Sequence, residues 1–515
     1  MSLLKSTATI GFYTLLSRVL GFVRDMTIAS ALGAGMLSDA FFVAFKIPNF
    51  LRRLFAEGAF NAAFVPLYAG ILTEEGKEAA AAFAEEALSF LVAVLLALSM
   101  ACIAAMPWLM LGLAPGFAAD PPKYDLTVLL TRITFPYIIF ISVVCLLGGI
   151  LNSAGKFAAV AATPIILNLC LLIVPPLIGH WVPTEAHALA IAVFTGGIAQ
   201  MLWLLAFCWR LNLMPRLRAP RFSAAVKKLL VLIAPAAMGA GVAQINLFVD
   251  LIIVSQIASG VSYLYYADRI NELPLAVIGI GLGTVLLPTL SRQIRAGSIA
   301  AAHHSQNRAI ELSLLLSLPA AAALMVIAEP IVRVLYERGA FALEDSLKTK
   351  AALMAFAAGL PAFVLVKVLS PAFYAHQDTK TPFRIAVICV VVNFLLNITL
   401  IIPLAHVGMA LATTIAGWLN VALMVMHLRK KRLFAWDRLL LLRLPRLLAA
   451  TLLMACVLAA AQALLLPWFS NNLFYKVTAL ALLVGAGLGA YGLGVLALRA
   501  VDAADLRKLR PARAK

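Results

Sequence analysis

Residues 17–66 read SRVLGFVRDMTIASALGAGMLSDAFFVAFKIPNFLRRLFAEGAFNAAFVP, and they determine how the rest of the chain is interpreted. Both halves are apolar enough to form membrane helices, yet they carry Arg18, Arg24, Asp25, Asp39, Lys46, Arg52, Arg53 and Glu57. A charge near the centre of a bilayer costs at least about 2.5–3.5 kcal/mol. We therefore expect the charged faces to line a protein-enclosed, water-filled cavity, which would be the working part of the protein.

The composition is that of a polytopic, all-α membrane protein. Of the 515 residues, 63% are hydrophobic and 12% are charged, and the mean hydropathy is +0.99. A soluble domain of this size would have too few polar side chains to cover its surface. At roughly 20 apolar residues per span, the chain holds about fourteen transmembrane helices. The apolar runs are continuous rather than alternating, which excludes a transmembrane β-barrel.

The Lys and Arg content of the loops predicts the orientation of these helices. The predicted spans lie near residues 8–32, 37–70, 84–112, 128–153, 158–179, 187–209, 229–255, 262–290, 310–336, 350–375, 382–403, 406–428, 445–467 and 475–499. Loops after spans six, eight and twelve are basic, whereas those after spans one, five, seven and eleven hold almost no Lys or Arg. Positive residues favour the cytoplasmic side, so both termini are predicted to be cytoplasmic. These loops also account for the net charge of +18 without any binding of nucleic acid.

An internal repeat relates two halves of the chain at an offset of about 225 residues. The matching pairs are ASALGAG (29–35) with VSQIASG (254–260), Pro136 with Pro361, Asn168 with Asn393, APGFA (114–118) with RGAFA (338–342), and Pro66 with Pro288. Such parallel repeats predict two pseudo-symmetric six-helix lobes that work by alternating access. The predicted domains are an N-lobe at 1–222 (helices 1–6), a C-lobe at 223–432 (helices 7–12), and two added helices with a basic tail at 433–515.

The charged side chains of the predicted cavity fall into three groups. In span one, Arg18 and Asp25 are seven residues apart and share a helix face. In span two, Pro48 interrupts the helix, so either Arg52 or Arg53 could face the cavity. In span eight, YYADRINELP (265–274) holds a third group in a helix interior. For each group the alternative is an ion pair with a purely structural role, and this alternative stays open.

Several arginines around one cavity suit a ligand that carries phosphate. The planar guanidinium binds phosphate oxygens through two hydrogen bonds and keeps its charge. A cavity flanked by apolar helices also suits a ligand with a lipid tail. The sequence therefore predicts an anionic, phospholipid-like substrate.

A second constellation could hold a monovalent cation. Asp250 is an isolated carboxylate in an apolar run, Asn393 and Asn397 are four residues apart in span eleven, and Thr413 lies in span twelve. One carboxylate with neutral oxygens could bind such an ion. The alternative, polar residues that bond between helices, is equally compatible with the pattern.

No enzyme motif is present. The sequence has no G-x-S-x-G, no H-E-x-x-H and no phosphate-binding glycine loop. Its six cysteines are scattered through apolar runs, which is typical of packing residues rather than of disulfides or a metal site. His303 and His304 are expected only to solvate a polar loop.

Long motifs spread over the chain carry a family resemblance. They are SRVLGFVRD (17–25), SDAFFVAFKIPNFLRRLFAEGAF (38–60), FVP (64–66), APGF (114–117), YYADRINELP (265–274) and VKVLSPAFYAHQDTKTP (366–382). Together they resemble the MurJ (MviN) family, proposed flippases for the peptidoglycan precursor lipid II within the MATE-like multidrug/oligosaccharidyl-lipid/polysaccharide exporter superfamily. The resemblance covers essentially the whole chain, including the two C-terminal spans.

The resemblance implies a V-shaped pair of lobes around a central cationic cavity. In such proteins the arginines that match Arg18, Arg24, Arg52 and Arg269 are expected to contact the pyrophosphate, and the last two helices are expected to hold the undecaprenyl tail. By this analogy Arg52, rather than Arg53, faces the cavity. The full predicted substrate-binding set is Arg18, Arg24, Asp25, Asp39, Arg52, Glu57, Asp268, Arg269 and Glu272.

A sodium site in some relatives matches Asp250, Asn393, Asn397 and Thr413 by position. Here Asn397 stands where at least one relative has an acid, which lowers the charge of the site. Coupling to Na⁺ and direct coupling to the membrane potential therefore both stay open, and no other cofactor or metal is expected.

The resemblance further implies a transporter, not an enzyme, in the bacterial cytoplasmic (inner) membrane. Its expected partners are lipid II and membrane lipids, with the cell-wall synthesis machinery as a possible associate, and it is expected to act as a monomer. Two alternatives are a multidrug or polysaccharide exporter, whose cavity would bind cations or neutral glycans, and a membrane glycosyltransferase, which would need acidic residues on a large external loop.

Overall fold

The computed structural model describes residues 3–51 and 60–501. Within these ranges the chain is helical and contains no β-strand. Three predicted cavity residues, Arg52, Arg53 and Glu57, lie outside the described residues, so their predicted roles stay predictions.

Nineteen α-helices follow one another along the described residues. They are α1 (Leu3–Leu32), α2 (Met36–Leu51), α3 (Phe60–Glu74), α4 (Lys77–Ala104), α5 (Met106–Leu113), α6 (Pro121–Thr134), α7 (Tyr137–Ser153), α8 (Phe157–Ala161), α9 (Thr163–Ile178), α10 (Glu185–Arg210), α11 (Ala224–Val254), α12 (Gly260–Arg295), α13 (Ile299–Val326), α14 (Ala328–Tyr336), α15 (Leu343–Ala357), α16 (Leu360–Ala375), α17 (Lys380–Lys430), α18 (Arg438–Leu465) and α19 (Leu473–Ala497). Short 3₁₀ turns cover Pro115–Ala119, Gly179–Trp181 and Leu466–Ser470.

The helices confirm the predicted all-α membrane architecture. Ten helical segments of the described chain are long and apolar enough to cross a membrane. One of them is α17, whose 51 residues cover the two predicted spans 382–403 and 406–428. Its backbone breaks at Ala405, where φ is 46°, two residues after Pro403, which cannot donate to the helix ladder. The predicted number of about fourteen spans stays a prediction.

Helix boundaries repeat along the chain with a constant shift. The 28-residue helix α4 begins at Lys77, and the 28-residue helix α13 begins at Ile299, 222 residues later. A single non-helical residue and a shorter helix follow each of them. Helices α6 and α15 begin at Pro121 and Leu343, which are again 222 residues apart. This agreement in local structure supports the repeat that the sequence predicts.

The chain divides into two compact units. The first comprises Met1–Ser262 with Arg338–Phe341, and the second comprises Tyr263–Glu337 with Ala342–Lys515. The domain boundaries predicted at residues 222 and 432 derive from the sequence repeat, whereas these units are defined by their internal packing. The predicted boundaries therefore stay a prediction.

The small segment Arg338–Phe341 joins the first unit through a close backbone approach. The Ala340 amide donates to the carbonyl oxygen of Ser30 at 2.8 Å. Gly33 and Gly339 both have positive φ, and a Cβ on Gly33 would lie 2.5 Å from the Ala340 carbonyl oxygen. Only glycine accepts this combination of backbone conformation and contact.

In the second unit the two C-terminal helices pack on the repeat. Met454 and Leu458 of α18, with Leu483 of α19, form a buried cluster with Ile327 and Val334. Burial of such side chains stabilises the contact by about 1.5–3 kcal/mol each. The segment that the sequence treats as an addition is therefore an integral part of this unit.

Candidate functional site

Arg24 lies buried in α1, where two side chains hold its guanidinium. Nε and Nη2 donate to Oδ1 of Asp25 at 3.0 and 2.7 Å, and Nη1 donates to Oδ1 of Asn168 at 2.9 Å. The amide of Asn168 donates in turn to the carbonyl oxygen of Ser17 at 3.0 Å. Arg24 is thus oriented between α1 and α9 by its ion pair with Asp25 and its hydrogen bond to the neutral amide of Asn168.

The Arg24–Asp25 pair differs from Arg18 in its exposure to solvent. Arg24 is 7% exposed and Asp25 is 0% exposed, whereas Arg18 of the same helix is exposed. An ion pair between neighbouring residues is the structural alternative that the sequence leaves open for Arg24. The same pair also keeps a guanidinium charged and oriented away from bulk water, which is what a phosphate site requires.

Asp39, which the sequence predicts to be near the substrate, pairs with side chains of the protein. Its carboxylate is fully buried and accepts from Nζ of Lys123 at 2.6 Å. It also accepts from the amide and the hydroxyl of Ser262, at 2.9 and 2.5 Å. These three bonds compensate for much of the cost of burying the charge.

Sequence reasoning missed Lys123. Asp120 places it by accepting from the Lys123 amide at the start of α6, and its ammonium group lies 4.0 Å from the centre of the Phe117 ring. Lys123 is 8% exposed although it follows two prolines in a predicted loop. A lone cation beside an apolar span was the available signal, but nothing in the sequence pairs it with Asp39.

In the second unit the third charged group forms a local contact. Nη1 of Arg269 donates to Oε2 of Glu272 at 3.1 Å, one helical turn away, and both side chains are partly exposed. Asp268 is exposed on the same helix, α12. This is again the local ion pair that the sequence leaves open as an alternative.

Within the second unit, three residues of the cation constellation contact one another. The Asn397 amide donates to Oδ1 of Asn393 at 3.1 Å, and the Asn393 amide donates to the Thr413 hydroxyl at 3.5 Å. Asp250 belongs to the other unit, where the Asn246 amide donates to its Oδ2 at 3.3 Å. The three residues of the second unit supply neutral oxygens and no carboxylate.

Comparison with known proteins assigns the family. The model of the family described as "Lipid II flippase MurJ" matches residues 28–479. The chain belongs to the MurJ family. A "Probable lipid II flippase MurJ" of Rhizobium tropici is 41% identical over 522 residues, which cover 99% of this chain and 98% of the relative. A "Lipid II flippase MurJ" of Burkholderia cenocepacia is 36% identical, over 84% of this chain and 85% of that relative.

Solved structures agree with the MurJ assignment. A structure titled "Lipid II flippase MurJ, inward closed conformation" matches with a TM-score of 0.76 at 27% identity, covering 95% of this chain and 99% of that one. An inward-facing multidrug resistance MATE family transporter of the MOP superfamily matches with a TM-score of 0.67 at 15% identity, covering 81% and 95%. The second likeness shows a shared fold alone. The family that the sequence motifs indicate is confirmed.

Proposed function

We propose that this protein moves lipid II from the cytoplasmic to the periplasmic leaflet of the bacterial inner membrane. The observation that carries the proposal is the full-length match to relatives named lipid II flippases, together with two arginines on α1, one of them buried. A pyrophosphate linked to a lipid tail needs cationic donors within an apolar helical frame. Both termini lie in the cytoplasm in this proposal, because the basic loops then face inward.

Arg18, Arg24, Arg52 and Arg269 bind the pyrophosphate in the proposed mechanism. Asp25, Asp39, Glu57, Asp268 and Glu272 are the carboxylates that balance or orient these cations while no substrate is bound. The 2.7 Å pair of Arg24 with Asp25 supports this division, since the carboxylate holds the guanidinium in place without burying an unpaired charge. Pyrophosphate then adds negative charge, and the lobes close around it and reopen on the other side by alternating access.

The membrane potential drives the cycle in this proposal. Moving one charge through 100 mV contributes about 2.3 kcal/mol, which is enough to bias two states of similar energy. Asn393, Asn397 and Thr413 offer a cation only neutral oxygens. A sodium ion would depend on Asp250 for its single carboxylate, so Na⁺ coupling is the weaker of the two routes.

The protein acts as a monomer in this proposal, with the cell-wall synthesis machinery as an associated partner. Each compact unit has its own buried core, and the two units belong to one chain. Two lobes of one chain are sufficient for alternating access.

Native mass spectrometry of the purified protein tests the substrate. The panel is lipid II, undecaprenyl phosphate and ordinary phospholipids, each measured with the natural chain and with Arg24→Ala. We expect lipid II to bind preferentially and Arg24→Ala to weaken it about tenfold or more, because a charge-assisted hydrogen bond contributes about 1.5–3 kcal/mol.

Lys348→Ala is the control, because this cation pairs with the exposed Glu344 on α15 and has no proposed contact with substrate. Equal binding of all anionic lipids, or the same loss in both variants, would contradict the pyrophosphate site. Translocation of lipid II at full rate by Arg24→Ala in proteoliposomes would contradict the mechanism.

A further inference from the structure

A second polar pocket lies in the second unit, at the end where α12 and α16 finish and α13 begins. Its apolar wall comes from the last turns of α12 and from α13, and its polar groups are His303, Gln306, His376 and Arg432. The cleft has a volume of about 50 Å³ and opens to solvent. A neighbouring cleft shares His303 and Arg432 and adds Arg429 and Trp436. None of these residues belongs to the proposed lipid II site.

Two residues that line this pocket each have a buried polar atom without a hydrogen-bond partner. Gln306 is 2% exposed, and its amide nitrogen donates to the carbonyl oxygen of Val368 at 2.9 Å. The Oε1 atom of Gln306 has no hydrogen-bond partner. Nε2 of His303 has none either, and both atoms are buried. An unpaired buried polar group costs about 1–3 kcal/mol, so such groups in a native protein call for an explanation. A ligand with acceptors for the imidazole and a hydroxyl for Gln306 would supply the missing bonds.

Arginine supplies the permanent charge of the pocket. Burial and the adjacent His303 imidazole both lower the pKa of His376, so that ring is neutral at pH 7 and still offers one N–H. Lys431 donates to Asp378 at 2.5 Å. Among the described residues no carboxylate pairs with Arg429 or Arg432. The pocket thus combines guanidinium and imidazole donors with an amide acceptor.

The backbone at Arg432 is unusual for its residue type. Its φ is 56°, in the left-handed region, immediately after α17. The Leu433 amide donates to the carbonyl oxygen of Leu428 at 2.9 Å, the helix-ending pattern in which glycine usually takes this position. An arginine here accepts a strained backbone, and its side chain lines the pocket.

We propose that this pocket binds the phosphate of a small ester that also carries a hydroxyl group. Guanidinium and imidazole hold the phosphate oxygens, and Oε1 of Gln306 accepts the hydroxyl. An anionic lipid head group with a glycerol hydroxyl has this chemistry, and free phosphate shares its phosphate oxygens. The apolar walls and the position of the pocket at the ends of membrane helices favour the lipid, as in other basic pockets between membrane helices.

Titration calorimetry of the full chain in detergent tests the pocket with short-chain phosphatidylglycerol, short-chain phosphatidylcholine and inorganic phosphate. Arg432→Gly is the informative variant, because glycine relaxes the left-handed backbone and so retains the fold. We expect it to weaken phosphatidylglycerol binding about tenfold or more. His303→Phe, which fills the pocket with an apolar ring, should weaken binding to a similar extent.

Arg499→Gly is the matched control, because Arg499 is also an exposed arginine with positive φ immediately after a helix. It should leave binding unchanged, as should Arg24→Ala, which separates this pocket from the lipid II site. Inorganic phosphate that competes with equal affinity would assign the pocket to a free anion, and phosphate that fails to compete would assign it to the lipid. Unchanged binding in Arg432→Gly, or equal loss in Arg499→Gly, would overturn the proposal.

Discussion

Two buried carboxylates show how single residues in this protein are stabilised. Asp25 and Asp39 are both 0% exposed, and each has a cation within 2.7 Å. Asp25 has its partner, Arg24, next to it in sequence and on the same helix. Asp39 depends on Lys123, 84 residues away. The second pairing exists only because the fold brings α2 and α6 together.

Lys123→Ala should therefore be strongly destabilising. It leaves the Asp39 carboxylate buried with only Ser262 as a donor, and breaking a buried pair on one side costs about 3–5 kcal/mol. Thermal unfolding in detergent should show a clearly lower Tm. Lys123→Ala combined with Asp39→Asn should recover part of the loss, because the second change removes the uncompensated charge.

The control for this prediction is Lys348→Ala. Lys348 pairs with Glu344 at 2.7 Å, but both side chains are largely exposed, and such surface pairs contribute little. A Tm that falls equally in Lys123→Ala and Lys348→Ala would show that burial of Asp39 is not what makes its pair important.

At the scale of elements, the same two helix starts are in contact in both repeats, but the interacting side chains differ. Asp39 is the fourth residue of α2 and Tyr263 the fourth of α12, while Lys123 and Asp345 are the third residues of α6 and α15. Asp39 pairs with Lys123, and the Tyr263 hydroxyl donates to Asp345 at 3.2 Å. Corresponding helix starts therefore meet twice, once through an ion pair and once through a hydrogen bond to a carboxylate. Helix geometry has been retained where side-chain identity has not.

A buried charge network anchors α18 to α13. Nη1 of Arg443 donates to Oε1 of Glu311 at 2.6 Å, and the two side chains are 4% and 7% exposed. Arg308 also pairs with Glu311, and it donates to Asp437 at the start of α18 at 2.6 Å. The first of the two C-terminal helices is thus held by charge as well as by apolar packing.

Glu311→Leu should loosen α18. It leaves the buried Arg443 guanidinium without this carboxylate, so we expect about 3–5 kcal/mol of destabilisation and faster hydrogen exchange in residues 438–465. Glu311→Leu with Arg443→Met removes both charges and should restore most of the protection. If the double variant exchanges as fast as the single one, the anchor is not electrostatic.

At the scale of the whole molecule, the chain combines a helical repeat with two C-terminal helices that pack within the second unit. Among the described residues no group of three or more His, Cys, Asp or Glu side chains could hold a metal ion. The neutral trio of Asn393, Asn397 and Thr413 contributes uncharged oxygens, and the membrane potential is the energy source that we propose.

Lipid II translocation should accordingly respond to voltage. In proteoliposomes with the protein in its natural orientation, an imposed 100 mV potential should change the translocation rate, since each transferred charge contributes about 2.3 kcal/mol. Replacing Na⁺ by K⁺ at constant potential should have no effect, and Asp250→Asn should behave like the natural chain. Translocation that requires Na⁺ and ignores the potential would contradict this energy source.

The sequence alone determined the all-α membrane fold, the repeat and the family, because hydropathy, helix period and long motifs are local properties. It also located the arginines of α1 and the neutral trio. Only the tertiary structure decided which polar side chains meet: Lys123 with Asp39, Asn168 with Arg24, and Arg443 with Glu311. The structure also places His303 on α13, where it lines a pocket, whereas the sequence predicts a polar loop. Partners that lie far apart in sequence are chosen by helix packing, and no local pattern encodes that choice.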